Sequence, residues 1–205
     1  MHFREINLFI LILSVAVSLS FSCNSSKTDK DIPLKNNNLY FPVLQGYSWI
    51  YSNSLTGENP STSNVYVNSV VNEGSDKLVE LSSFPFFSDF VKSTKLRIKE
   101  TGAVYVVGSD SSENLFLPVN GDMQKGSKWQ FAQWSAYIGK DDDTVVTKVG
   151  TYSNCMLITY SIAFTFVSEI WLAKDVGIVK WGYNRINPPT PSPSYNILLN
   201  MEQNK

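Results

Sequence analysis

Two thiols, one imidazole and a run of three carboxylates are the side chains of this 205-residue chain best suited to chemistry. Their spacing limits what they can do. The single histidine is His2, so the body of the chain has no imidazole for a Ser-His-Asp or Cys-His arrangement and none for general base work. Cys23 and Cys155 are too few for a Cys-rich zinc site. Cys155 stands between Asn154 and Met156-Leu157 in a β-rich run, the setting of a small buried residue rather than a reactive thiol. Asp141-Asp142-Asp143 lacks the alternating Asp-x-Asp-x-Asp-Gly spacing that wraps a hard cation, and its expected place is a solvated hairpin tip. No glycine-rich phosphate motif occurs. With 17 basic and 18 acidic side chains there is no electrostatic footprint for nucleic acid. No metal and no cofactor is expected. One cluster stands out for binding: Phe84, Phe86, Phe87 and Phe90, gathered around Pro85. These rings are expected either to plug one end of a sheet or to form an aromatic lip that contacts an apolar ligand or a partner.

Cys23 is read from what precedes it. Arg4 opens the chain, an apolar stretch runs from Ile6 to about Leu19, and small residues lead to Ser22-Cys23. The stretch is shorter than the roughly 20 apolar residues of a membrane-spanning helix. The pattern is that of a signal peptide over residues 1–22, and it resembles a relaxed bacterial lipobox with Cys23 as the lipid-anchor residue. The departure is Ser20, where leucine is usual. Residues 23–38, rich in Asn, Ser, Lys and Asp, cannot bury enough apolar surface to offset chain entropy and are expected to be a flexible, disordered tether. Stable anchoring needs more than one acyl chain, which a multiply acylated, palmitate-bearing cysteine meets. Asn24 in place of an inner-membrane-retaining Asp points to the outer membrane of a bacterial envelope.

Residues 39–205 must then supply the working domain. Tyr47, Trp49 and Tyr51 alternate with Ser48, Ile50 and Ser52, and Leu96 and Ile98 alternate with Lys95, Arg97 and Lys99. Similar runs recur to Tyr195–Met201, separated by Glu73-Gly-Ser-Asp76, Gly108-Ser-Asp110, Gly139-Lys-Asp141 and Asp175-Val-Gly177. This is period-two patterning with close turns, and it predicts an all-β fold. The expected form is an antiparallel meander of about ten strands curled into a barrel or half-barrel, with a two-sheet β-sandwich as the alternative. An internal echo accompanies it. Pro42-Val43 followed by Gly46-x-x-Trp49 is answered by Pro118-Val119 and Gly126-x-x-Trp129. The run Asn187 to Pro193 is rich in proline and is expected to be an extended loop.

Three stretches carry a resemblance. Tyr40-Phe-Pro-Val-Leu-Gln-Gly-Tyr-Ser-Trp-Ile-Tyr51, Gly150-Thr-Tyr-Ser-Asn-Cys155 and Glu169 to Trp181 resemble a group of bacterial envelope lipoproteins, and the layout is similar to that of TapB-like domains. The likeness spans about Tyr40 to Tyr183 and departs at Asp175, where glycine is usual. It implies a β-domain and brings no activity with it.

The resulting expectation is a membrane-anchored envelope lipoprotein, not an enzyme, whose β-domain binds a partner or serves as structure. A carrier of a small apolar ligand or lipid in a curled-sheet cavity is the alternative. A hydrolase working through carboxylates is the third class.

Overall fold

The computed structural model describes residues 38–53, 61–163, 166–185 and 194–203. The signal peptide, Cys23, the tether up to residue 37 and the proline-rich run at 187–193 lie outside the described residues. Twelve strands follow one another: β1 Tyr47–Asn53, β2 Thr62–Glu73, β3 Asp76–Leu81, β4 Lys95–Ile98, β5 Val104–Val107, β6 Glu113–Leu117, β7 Lys128–Phe131, β8 Trp134–Thr147, β9 Gly150–Ile162, β10 Phe166–Ala173, β11 Gly177–Arg185 and β12 Ser194–Gln203. Two short 3-10 turns, Pro85–Phe90 and Asn120–Asp122, interrupt them.

All strand pairings are antiparallel, and they form one twelve-stranded sheet in the order β6-β5-β4-β3-β2-β1-β12-β11-β10-β9-β8-β7. The sheet curls into a nearly closed barrel, as the meander reading anticipates, and not into a two-sheet sandwich. It consists of two six-stranded meanders, β1–β6 and β7–β12, joined where β1 pairs with β12. Each is entered through one copy of the Pro-Val…Gly-x-x-Trp echo, which ends in Trp49 on β1 and Trp129 on β7. Register shifts in β1/β12, β2/β3, β5/β6, β8/β9 and β10/β11 mark bulges, which raise local twist and help a sheet close.

Alternation fixes the inner face. Trp49 and Tyr51, Val65 and Val67, Val79 and Leu81, Leu96 and Ile98, Val104 and Val106, then Trp134, Ala136 and Ile138 are all buried in one core. Their strand neighbours face outward, among them the exposed Tyr66 and Tyr137.

Several boundaries differ from the sequence reading. β3 comes directly after the Gly74-Ser75 turn, whereas the mixed run Asp76-Lys-Leu-Val-Glu-Leu81 gives only a weak alternating signal on its own. Residues 128–138 are not one strand but a hairpin that turns at Ala132, whose φ is +51°. Gly139-Lys-Asp141 is no turn, since β8 runs straight through it and pairs with β9 across two bulges. Asp141-Asp142-Asp143 is therefore mid-strand, and the hairpin tip is at Thr147–Gly150. Asn38, which composition assigns to the end of the tether, is fully buried. Its amide donates to the Gly102 and Pro118 carbonyls, both at 3.1 Å.

Candidate functional site

The phenylalanine cluster is in the lumen. Phe84, Phe86 and Phe87 are 6%, 1% and 0% exposed. They form no exposed lip. The 3-10 turn that carries them is started by Pro85, which needs no N–H partner there, and is held by Ser168, whose hydroxyl donates to the Phe86 carbonyl at 2.7 Å. Phe87 packs edge-on against Tyr160 at 4.8 Å and Trp134 at 5.5 Å between ring centroids, and tilted against Phe131 at 4.8 Å. Phe86 meets Tyr51 and Trp181, and Phe84 meets Phe116. The sequence shows the cluster but not its direction, because a turn leading inward and one leading outward have the same composition. The side chain of Phe90 lies outside the described residues, as does Cys23.

Inside the barrel two phenols are satisfied by main-chain carbonyls, whereas the buried Trp181 indole N–H has no hydrogen-bond partner among the described residues. Tyr51 donates its hydroxyl to Ile178 at 2.9 Å and Tyr160 to Phe116 at 2.8 Å, and burial pushes both phenols well above their usual range. Cys155 is buried, its thiol donates to the Tyr152 carbonyl at 3.3 Å, and burial pushes it up to about 11. Such a thiol carries almost no thiolate at neutral pH and is not a nucleophile.

Several carboxylates on the outer face are engaged. Asp143 accepts the Trp171 indole N–H at 2.8 Å and has Lys140 3.6 Å away, and the indole bond is the main cause that lowers its carboxyl from the usual range. Glu169 accepts the Tyr195 hydroxyl at 2.8 Å, while the Lys180 ammonium is 4.2 Å from the Trp171 ring centre and 4.3 Å from that of Tyr195. Arg97 reaches Glu73 at 2.8 Å and Glu113 at 3.2 Å, and Lys99 reaches Glu113 at 2.9 Å and Asp76 at 3.2 Å. Among the described residues no three His, Cys, Asp or Glu side chains converge as metal ligands would.

What remains is a groove at one end of β4–β6, with a volume of about 790 Å³. Its walls are the approach Val91–Thr94, the β5–β6 turn with Gly108, Ser109 and Ser111, and the Phe131–Ala132 corner after β7. Three cations line it, Lys92, Lys95 and Arg97, and among the described residues no carboxylate does. Neither Lys92 nor Lys95 has an ion pair among the described residues. Ser93 fastens the approach by donating its hydroxyl to the Val107 carbonyl. Asp110 is turned away within the β5–β6 turn, accepting from the Ser112 hydroxyl at 2.6 Å and the Ser112 N–H at 3.1 Å, and these bonds lower its carboxyl from the usual range.

The groove is formed because β6 and β7 end the sheet without pairing. At the end near Leu117 the seam is stitched by Trp129, whose indole donates to the Phe116 carbonyl at 3.2 Å. At the other end Asn114 and Phe131 line opposite sides of the opening. Lys92 and Lys95 fall in a run that the sequence reads only as an alternating strand. Their meeting with Ser109 and Ala132 depends on chain folding that local pattern does not encode.

No described protein family matches the chain, and no curated protein is similar to it in sequence. Two solved structures are similar in fold. One is a protein designated as exported, with a YmcC-like fold, from Bacteroides fragilis NCTC 9343, with a TM-score of 0.51 at 13% identity over 80% of this chain and 99% of that one. The other is a protein designated as a lipoprotein from Parabacteroides distasonis ATCC 8503, with a TM-score of 0.50 at 13% identity over 82% of this chain and 100% of that one. At this identity the likeness establishes a shared fold and nothing more.

Proposed function

We propose that the protein is a lipid-anchored lipoprotein of the bacterial envelope, held at the outer membrane through a palmitate-bearing Cys23, and that its barrel is a non-enzymatic binding or structural domain. The aromatic filling of the barrel carries this reading. Phe84, Phe86 and Phe87 occupy the space that a lumenal ligand would need, which moves recognition to the mouth and outer face. The two fold neighbours, one designated as exported and one as a lipoprotein, support the location. The finer likeness to TapB-like domains belongs to the same proposal. Carboxylates bound to Arg97, Lys99, Trp171 and Tyr195 support structural roles for those acids over a hydrolytic one.

The test is metabolic labelling of cells with an alkyne fatty acid, followed by membrane fractionation. Wild type is expected to take up the probe and sediment with the outer membrane, and Cys23→Ser to do neither. An unlabelled wild type ends the anchoring proposal.

A further inference from the structure

The groove brings cations and apolar side chains together. In a chain with one more acid than base, a concavity of about 790 Å³ is lined, among the described residues, by three cations and no carboxylate. Arg97 is neutralised by Glu73 and Glu113, which leaves Lys92 and Lys95 as its two exposed cations without an ion pair among the described residues. They are three residues apart on the Val91–Lys95 approach, and Ser109 and Ser111 line the same groove. Between these polar rims lie Val91 and Val107, both half-buried, with Phe131 behind them. Glu80 stands in register opposite Lys95 on β3, is exposed, and is a competing acid for that ammonium.

Positive rims, hydroxyl donors and an apolar floor together fit a particular ligand shape. From this geometry we infer that the groove binds an anionic amphiphile. Lys92 and Lys95 hold its phosphate or carboxylate, and its apolar stem lies over Val91 and Val107. Charge-assisted bonds from two ammonium groups supply the selectivity for the anion, and burial of the stem supplies part of the affinity. The inference rests on the proposed binding role of the domain and gives that role a ligand class. It does not depend on Cys23, so the two proposals fail separately.

The test is calorimetric titration of the full chain with hexyl phosphate. A lipidated chain is held in phosphatidylcholine nanodiscs with empty discs as the blank, and an unlipidated one is titrated in buffer. Saturable one-to-one binding is expected. Inorganic phosphate and hexanol are each expected to bind at least about tenfold more weakly, since each lacks one half of the recognition. Lys92→Gln with Lys95→Gln is expected to weaken hexyl phosphate binding by at least about tenfold at an unchanged melting temperature, both residues being exposed. Glu80→Gln is expected to tighten it. Added phosphatidylglycerol that displaces hexyl phosphate identifies a lipid headgroup as the natural source of the anion, and undisturbed binding identifies a free amphiphile. No binding, equal binding of hexanol, or a double lysine variant that binds like wild type overturns the inference.

Discussion

Trp129 and Tyr160 donate to the same main-chain oxygen, the carbonyl of Phe116, at 3.2 and 2.8 Å. Their rings also meet edge to face, with centroids 5.9 Å apart. A side chain from β7 and one from β9 thus close on β6, where the sheet has no ladder of its own. Replacing Tyr160 by Phe removes one bond and leaves the carbonyl its other partner, so a loss of about 1 kcal/mol in urea unfolding is expected. Trp129→Phe is expected to act more locally. Amide exchange should quicken in β6 and β7 but not in β1 or β12, and uniform quickening would contradict the role of Trp129 as the seam's stitch.

The lumenal position of Phe87 predicts a large energetic effect. Its ring is fully buried among Phe116, Phe131, Trp134 and Tyr160. Phe87→Ala is expected to destabilise the barrel by about 3–5 kcal/mol, the usual cost of emptying a large aromatic site. A loss below about 1 kcal/mol, within the range of surface substitutions, would mean that the ring spends its time outside the barrel.

Asp175 has a positive φ of +62°, in the turn between β10 and β11. This is the left-handed region, which costs a residue with a Cβ and suits glycine, the residue usual there in the lipoprotein group the sequence resembles. Asp175→Gly keeps the main-chain N–H that donates to Leu39 at 2.7 Å. The substitution is expected to stabilise the fold by about 0.5–1 kcal/mol, read as a higher urea midpoint with an unchanged slope. Two positions on, Gly177 tolerates no such exchange in reverse. Its φ is +100°, and an added Cβ would be 3.2 Å from the Trp49 indole nitrogen.

Alkaline pH is expected to weaken the fold through its buried acids. The Cys155 thiol is pushed up to about 11 by burial, whereas an exposed thiol loses its proton near 8.5. A raised folded value means that the unfolded chain releases its proton first. The contribution from Cys155 is therefore whole below about pH 8.5 and is lost as pH rises toward about 11. Urea midpoints measured across that window should fall more steeply for wild type than for Cys155→Ala. The remaining slope in the variant belongs to the other groups that burial and pairing raise, Tyr51, Tyr160 and Tyr195 among them, with Tyr47, Tyr152 and Lys99. Iodoacetamide should label Cys155 only once the chain is unfolded.

Much of the barrel is legible in the sequence, for a simple reason. Trp49 and Tyr51 or Leu96 and Ile98 alternate with polar neighbours, and a period of two has one physical solution, a strand with one face buried. The misreadings come where side-chain type and chain direction disagree. Three aspartates in a row read as a solvated turn, yet Asp143 is kept within β8 by its bond to the Trp171 indole, a partner 28 residues away. The phenylalanine cluster is visible at once, but its burial depends on Ser168 capturing the Phe86 carbonyl from β10. The groove was the least legible, since Lys92, Ser109 and Ala132 come from separate turns and carry no mutual signal.

Asn38 also matters for mechanical load. It is the first described residue, so a pull transmitted along the chain to Asn38 would load the bonds made there. Its amide holds the β4–β5 turn at Gly102 and the exit of β6 at Pro118, while Leu39 bonds to Asn120 through its N–H and to Asp175 through its carbonyl. Force arriving there is shared between both meanders instead of peeling β1 from β12. The groove is at the opposite ends of β4–β6, across strands of four or five residues, so a load taken up at Asn38 need not deform it.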